Sequence, residues 1–268
     1  QAGVWAGERG YKYIYATQGL KVNDGLFSYK AHFHTDQDYN FDKEYSEDYW
    51  GSGSHDFQPQ ETKSLNLRYE KDGFDIGINY RYFSESTLIA MNRKNSILNT
   101  FDEDANLNSE LFNTYARYKT TIFDEIDSTT TLSYESTELL NNSYFKNLYT
   151  SYEEGYKYSK SQKYSIEETL NKTYKNHSLT FGSSIEWFES IPMTYDLPTP
   201  SLSNTYIKGS NNEIKAPIYN EKWNNIAFYL QDQIILSDNF QLSIASRYDK
   251  SSSYESSFNP RLALIYTK

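Results

Sequence analysis

The chain has 268 residues and a net charge of −10, with Lys+Arg 26 against Asp+Glu 36, a balance that disfavours nucleic-acid binding through a basic face. It is polar on average, with 37% hydrophobic residues and a mean hydropathy of −0.80, yet 17% of its residues are aromatic, 27 of them Tyr, and a mainly disordered chain is poor in aromatics. The absence of cysteine excludes disulfides, a thiolate metal site and a cysteine nucleophile, and no apolar run reaches the ~18 residues of a membrane-spanning helix.

Period-2 alternation of Tyr, Phe, Ile, Thr and Leu recurs along the chain, and helix signals are nearly absent. The first predicted strands, 10–20 and 26–35, join through Val22-Asn23-Asp24-Gly25. The long polar stretch 36–60 leads to 61–70 and 74–85, joined through Lys71-Asp72-Gly73. The stretch 86–109 leads to 110–122 and 126–135, joined through Phe123-Asp124-Glu125. The stretch 136–162 leads to 163–174 and 178–190, joined through Lys175-Asn176-His177. The stretch 191–223 leads to 224–236 and 240–249, joined through Ser237-Asp238-Asn239, and a shorter one at 250–258 precedes the last segment, 259–267.

These eleven segments run about 9–13 residues, longer than the ~5–6 typical of soluble proteins and suited to the ~9–11 of a tilted strand crossing a bilayer. Asn, Asp and Gly make the short connections tight turns. Short turns alternating with long polar loops are the layout of an outer-membrane barrel, turns on the periplasmic side and loops outside. A transmembrane strand shows lipid only its alternate residues. In 74–83, Phe74, Ile76, Ile78, Tyr80 and Tyr82 oppose Asp75, Gly77, Asn79 and Arg81; Leu179, Phe181, Ile185 and Trp187, then Phe240, Leu242, Ile244 and Tyr248, form similar faces. Segments 126–135 and 163–174 fit least well, the first being Thr-rich and the second placing Glu168 in phase with Ile166 and Leu170. A soluble antiparallel sheet with one wet face alternates in the same way; strand length, loop asymmetry and the abundance of Tyr favour the membrane. Tyr80, Tyr82, Tyr118 and Tyr248 suit the aromatic girdles at the bilayer boundary.

Residues 224–266 contain Gln231-Asp232, the turn Leu236-Ser237-Asp238-Asn239, then Arg247-Tyr248-Asp249 and Pro260-Arg261. This succession resembles the mid-barrel segment of TonB-dependent outer-membrane receptors. The resemblance implies an all-β, antiparallel up-and-down transmembrane β-barrel of about 22 strands closed around a plug domain. Residues 1–268 then form a partial barrel, without the plug and the remaining strands. The short turn at 22–25 also implies a strand rising toward the outside before Gln1.

No catalytic constellation stands out, there is no phosphate-binding glycine loop, and no cofactor is expected. His32 and His34 share one strand face, with Lys30, Asp36 and Asp38 in phase. They suit contact with an iron chelate, haem or metal ion, or a polar wall bonded to plug or water. The stretch 36–60 carries Tyr39, Tyr45, Tyr49 and Trp50 among a surplus of acids, and aromatics on an outer loop suit ligand stacking or packing among themselves at the rim. Arg68, Arg81, Arg117, Arg247 and Arg261 fall on the polar faces, and the resemblance makes them plug-facing lumen residues.

The reading is a non-enzymatic receptor in the outer membrane of a Gram-negative bacterium, importing an iron-siderophore, haem, cobalamin or a similar scarce nutrient. Its partners are outer-membrane lipid, its own plug domain, the TonB energy-coupling complex acting through that plug, and a small-molecule ligand, with no nucleic acid. A passive pore or structural barrel is the alternative, and a soluble all-β binding module a further one.

Overall fold

The computed structural model describes residues 1–7, 10–36, 60–86, 105–123, 125–145, 150–151, 153–191 and 221–267. They form one antiparallel sheet of twelve strands in strict sequence order. The strands are β1 (Ala2–Ala6), β2 (Lys12–Val22), β3 (Gly25–Thr35), β4 (Glu61–Lys71), β5 (Phe74–Ser86), β6 (Asn106–Ile122), β7 (Ile126–Phe145), β8 (Gly155–Tyr174), β9 (His177–Ile191), β10 (Glu221–Ser237), β11 (Phe240–Ser251) and β12 (Ser257–Tyr266). The sheet is open: β1 and β12 are its edges.

Strand β1 is the one that the sequence pattern does not reveal. Its five residues, AGVWA, are too few for alternation to stand out from a loop. It pairs with β2 from Ala2↔Ala16 to Ala6↔Lys12, so a rising strand expected ahead of Gln1 lies within the chain. The second difference is larger. Strands β7 and β8 are each 20 residues long, and most of the stretch 136–162, read from sequence as a long loop, is strand. That upper part carries Leu139-Leu140 and Tyr144-Phe145 side by side, which puts apolar residues on both faces and breaks the period-2 signal. Cross-strand contacts hold it instead: Lys160 Nζ donates to Glu138 at 2.8 Å, and the Tyr144 and Tyr156 rings lie 5.3 Å apart. The register shifts between Leu139 and Ser143.

The short turns carry the left-handed residues that tight hairpins require. Asn23 and Asp24 have φ of 48° and 64°, and Asp72 and Gly73 have 46° and 84°. Gly73 is doubly constrained, because a Cβ there would run into the carbonyl oxygen of Lys119, whose amide donates to the Gly73 carbonyl at 2.9 Å. Gly73→Ala is expected to cost about 1–2 kcal/mol, read as a lower urea midpoint in lipid vesicles.

Among the described residues there is no enclosed apolar core. The buried hydrophobic residues among those described are Ala105, Tyr158, Ile191 and Ala227. One face of the sheet is apolar and open. Its centre is a row of four aliphatic residues in register, Leu132, Ile166, Ile185 and Ile226. Ile76, Leu179, Phe181 and Ile244 are exposed on this face, while Ile78 and Leu242 are partly covered by their neighbours. Aromatic side chains bound the apolar band. Toward the loops, Phe112, Tyr134 and Tyr164 follow one another at centroid distances of 6.0 and 4.7 Å. Beyond them the face becomes charged, with Lys160–Glu138 at 2.8 Å and Lys222–Glu189 at 3.1 Å. Toward the turns, Phe74 packs on Tyr118 at 4.4 Å and Phe240 on Tyr266 at 5.1 Å. Glu168, the misfit of the sequence pattern, does sit on this face. Its carboxylate accepts hydrogen bonds from Ser128 Oγ and Thr130 Oγ1, both at 2.5 Å, so the Thr-rich strand opposite is what accommodates it.

Candidate functional site

The opposite face is polar, and near the loop ends of the strands it becomes aromatic as well. Strand β1 places Trp5 opposite Tyr13 of β2, and Gly3 opposite Tyr15. A Cβ at Gly3 would collide with the Tyr15 ring, so glycine lets that ring lie flat across the neighbouring strand. Trp5 stacks on Tyr15, centroids 5.1 Å apart and planes 13° apart, and tilts against Tyr13 at 5.2 Å. Tyr13 in turn lies between the two histidines of β3, stacked on His32 at 5.9 Å and tilted to His34 at 6.3 Å, while Tyr11 meets His34 at 5.1 Å.

His32 and His34 therefore share one face, as their spacing predicts, but each is already engaged. Ser64 Oγ lies 2.6 Å from His32 Nδ1, and Asp36 Oδ1 lies 3.0 Å from His34 Nε2. Among the described residues no three His, Asp or Glu converge to hold a metal ion. Next to His32 the wall is indented by a cavity of about 470 Å³ whose lining includes Ser64, Asn79, Arg81, Asn113 and Glu135. Asn66, Asn79 and Asn113 stand in register across β4, β5 and β6, with Asn79 Nδ2 donating to Asn113 Oδ1 at 3.2 Å. Lys163 closes the far side between Glu135 at 3.0 Å and Glu186 at 3.9 Å.

The arginines share the polar face but differ in what they hold. The guanidinium of Arg68 forks onto Asp75, Nε at 2.8 Å and Nη2 at 2.9 Å, and also pairs with Glu70. Arg117 Nη1 approaches the same Asp75 at 3.5 Å, and the Tyr115 hydroxyl donates to it at 3.2 Å. Arg247 pairs with Asp249 on its own strand, Nε to Oδ1 at 2.9 Å, and lies 5.9 Å from the Tyr229 ring. Arg81 is exposed in the cavity wall, and Arg261 is exposed opposite Ala245. Tyr39, Tyr45, Tyr49 and Trp50 lie outside the described residues.

Sequence reasoning missed Trp5, Tyr13, Tyr15, the asparagine row and Asp75. One signal was present: Tyr11, Tyr13 and Tyr15 alternate in YKYIY. It carries no sign, because an aromatic stripe at period 2 reads equally as a lipid-facing or an inward one.

The sequence matches the family described as TonB dependent receptor-like, beta-barrel, over residues 6–268. The chain belongs to the TonB-dependent receptor β-barrel family. Its fold agrees. It is similar to the FrpB iron transporter of Neisseria meningitidis, with a TM-score of 0.65 at 12% identity, over 97% of this chain and 43% of that one. A variant of the ferric enterobactin receptor of Pseudomonas aeruginosa gives a TM-score of 0.61 at 13% identity, over 97% and 40%. The siderophore receptor PiuA of Acinetobacter baumannii gives 0.58 at 10%, over 98% and 45%. The chain thus spans about two fifths of the length of these structures. No curated protein sequence matches. In a TonB-dependent receptor the apolar face of the wall meets lipid, the polar face meets the lumen, and the long loops emerge outside.

Proposed function

We propose that the chain is part of a TonB-dependent receptor in the outer membrane of a Gram-negative bacterium, one that binds a scarce nutrient outside the cell and imports it without an enzymatic step. The observation that carries this reading is the polarity of the lumen wall. Its loop-end half brings together Trp5, Tyr13, Tyr15, His32, His34 and the adjoining polar cavity. Convergent aromatic and polar groups in a concavity are the makings of a small-molecule site. The short turns at the other end have too few side chains for one. Ligand contacts are assigned to His32 and His34, and to Tyr39, Tyr45, Tyr49 and Trp50 in the sequence that follows. Candidate cargoes are an iron-siderophore, haem, cobalamin or a similar scarce nutrient. Arg68, Arg81, Arg117, Arg247 and Arg261 face the plug, through which the energy-coupling complex acts.

The test is uptake by cells carrying the full-length receptor, with and without a functional TonB. Import is expected to stop without TonB while surface binding persists. Undiminished uptake in the TonB-deficient cells would instead establish a passive pore. Replacing His32 and His34 with Ala, separately from Tyr49 and Trp50, is expected to weaken binding without lowering surface expression.

A further inference from the structure

We propose that the lumen surface from Trp5 to Glu135 is built for an uncharged, hydroxyl-rich ligand, a glycan, and not for an anionic metal chelate. This rests on the receptor reading above and names the class of its cargo. Two adjoining features carry it. The first is a continuous aromatic platform: Trp5 stacked on Tyr15 at 5.1 Å, Trp5 on Tyr13 at 5.2 Å and Tyr13 on His32 at 5.9 Å. Trp5 presents its indole beside these rings on the polar face. A sugar ring presents C–H groups on one face and hydroxyls around its rim, and an aromatic ring offers the matching flat, electron-rich surface.

The second feature is the chemistry of the neighbouring cavity. Asn66, Asn79 and Asn113 form a row across three strands, flanked by Ser64 and Thr137. A carboxamide carries both donors and acceptors, and so does a hydroxyl; each ligand hydroxyl finds both kinds of partner there. An anionic chelate needs donors alone, and a site for one concentrates Arg and Lys. This wall does not. Lys163 is held between Glu135 and Glu186, at 3.0 and 3.9 Å, which neutralises it and leaves carboxylate oxygens at the cavity rim. Arg81 and Lys30 remain as donors, so the wall mixes cations with carboxylates and carboxamides and does not present donors alone. The cavity, about 470 Å³, falls within the ~300–1,000 Å³ of small-molecule sites.

The experiment uses the full-length receptor purified in detergent, with heat-modifiable gel migration as the check on folding. Four neutral hexasaccharides are titrated, those of maltose, xylose, chitin and cellulose type, with ferric enterobactin as the anionic probe. Binding is followed by tryptophan fluorescence and calorimetry. At least one hexasaccharide is expected to bind more tightly than ferric enterobactin. Trp5→Ala is expected to weaken that binding roughly 10-fold or more, Trp5→Phe by only about 3-fold, and Asn79→Ala by about 5–10-fold. A folded receptor that binds ferric enterobactin, loses it in Trp5→Ala and takes none of the hexasaccharides overturns the proposal. So does one that binds no hexasaccharide at all. Neither result touches energy-dependent import, which the TonB-deficient strain tests separately; glycan binding without TonB-dependent uptake defeats the import reading and leaves this one standing.

Discussion

Arginine in place of Ile185 will destabilise the folded barrel by about 2–4 kcal/mol, the cost of a lipid-facing cation near the bilayer midplane. The site is chosen by register. Ile185 lies opposite Ile166 on one side and Ile226 on the other, and Leu132 continues the row. Tyr164 and Trp187 bound this row toward the loops, and Leu170 and Phe181 continue the apolar face toward the turns. The diagonal neighbour of Ile185 on that face is Glu168, opposite Ser183 and already accepting from Ser128 and Thr130, so pairing with that carboxylate sets the cost toward the lower end of the range. In a soluble sandwich the same residue would be core, covered by a second layer; here it is 38% exposed within the isolated sheet. Arginine at Ile78 or Leu242, nearer the turns, is expected to fall in the same range or below it. The measurement is reversible urea unfolding in lipid vesicles. A wild-type midpoint for Ile185→Arg would place this face outside the bilayer.

Asp75→Ala is expected to cost about 2–3 kcal/mol, in keeping with the loss of hydrogen bonds to charged groups. The Asp75 side chain is only 10% exposed and takes both arms of Arg68, a hydrogen bond from Tyr115 and the approach of Arg117. Removing it leaves two guanidiniums facing each other across β4, β5 and β6 with the shared anion gone. Arg68 is 47% exposed, so solvent recovers part of the loss and keeps the figure below that of a buried pair. The double variant Arg68→Leu with Asp75→Leu is expected to be more stable than Asp75→Ala alone, because it leaves one fewer charge without a partner. If the double variant is the weaker of the two, the cluster acts through packing and not through charge. The same carboxylate separates the arginines of the polar face: Arg68 is held within the wall, while Arg81 lies in the lining of the loop-end cavity.

How much of this was legible in the sequence differs from element to element. The alternation of Phe74, Ile76 and Ile78 against Asp75, Gly77 and Asn79 named the two faces of β5 correctly, since successive side chains of any strand point to opposite sides. Turn residues such as Asn23-Asp24 and Asp72-Gly73 marked the hairpins, because few residues accept a left-handed backbone. The shared face of His32 and His34 followed from the same period. The tall β7–β8 hairpin did not, because strand beyond the membrane has no lipid to select a single apolar face, and adjacent pairs such as Leu139-Leu140 break the alternation. Nor did the five-residue β1, although it supplies Trp5.

Sequence by itself thus determined the class of the protein: a meander of long antiparallel strands with one apolar face, short turns at one end and long connections at the other. The tertiary structure decided which side chains meet. Asp75 and Tyr115 are 40 residues apart, Ser64 and His32 are 32 apart, and both contacts depend on the register between neighbouring strands. That register is set by the hydrogen-bond ladder and by where each turn begins, and a shift of two residues would preserve every face while separating every pair. Period alone therefore reveals which residues line the lumen, and only the paired strands show that Trp5, Tyr13, Tyr15 and His32 form one platform beside a row of asparagines.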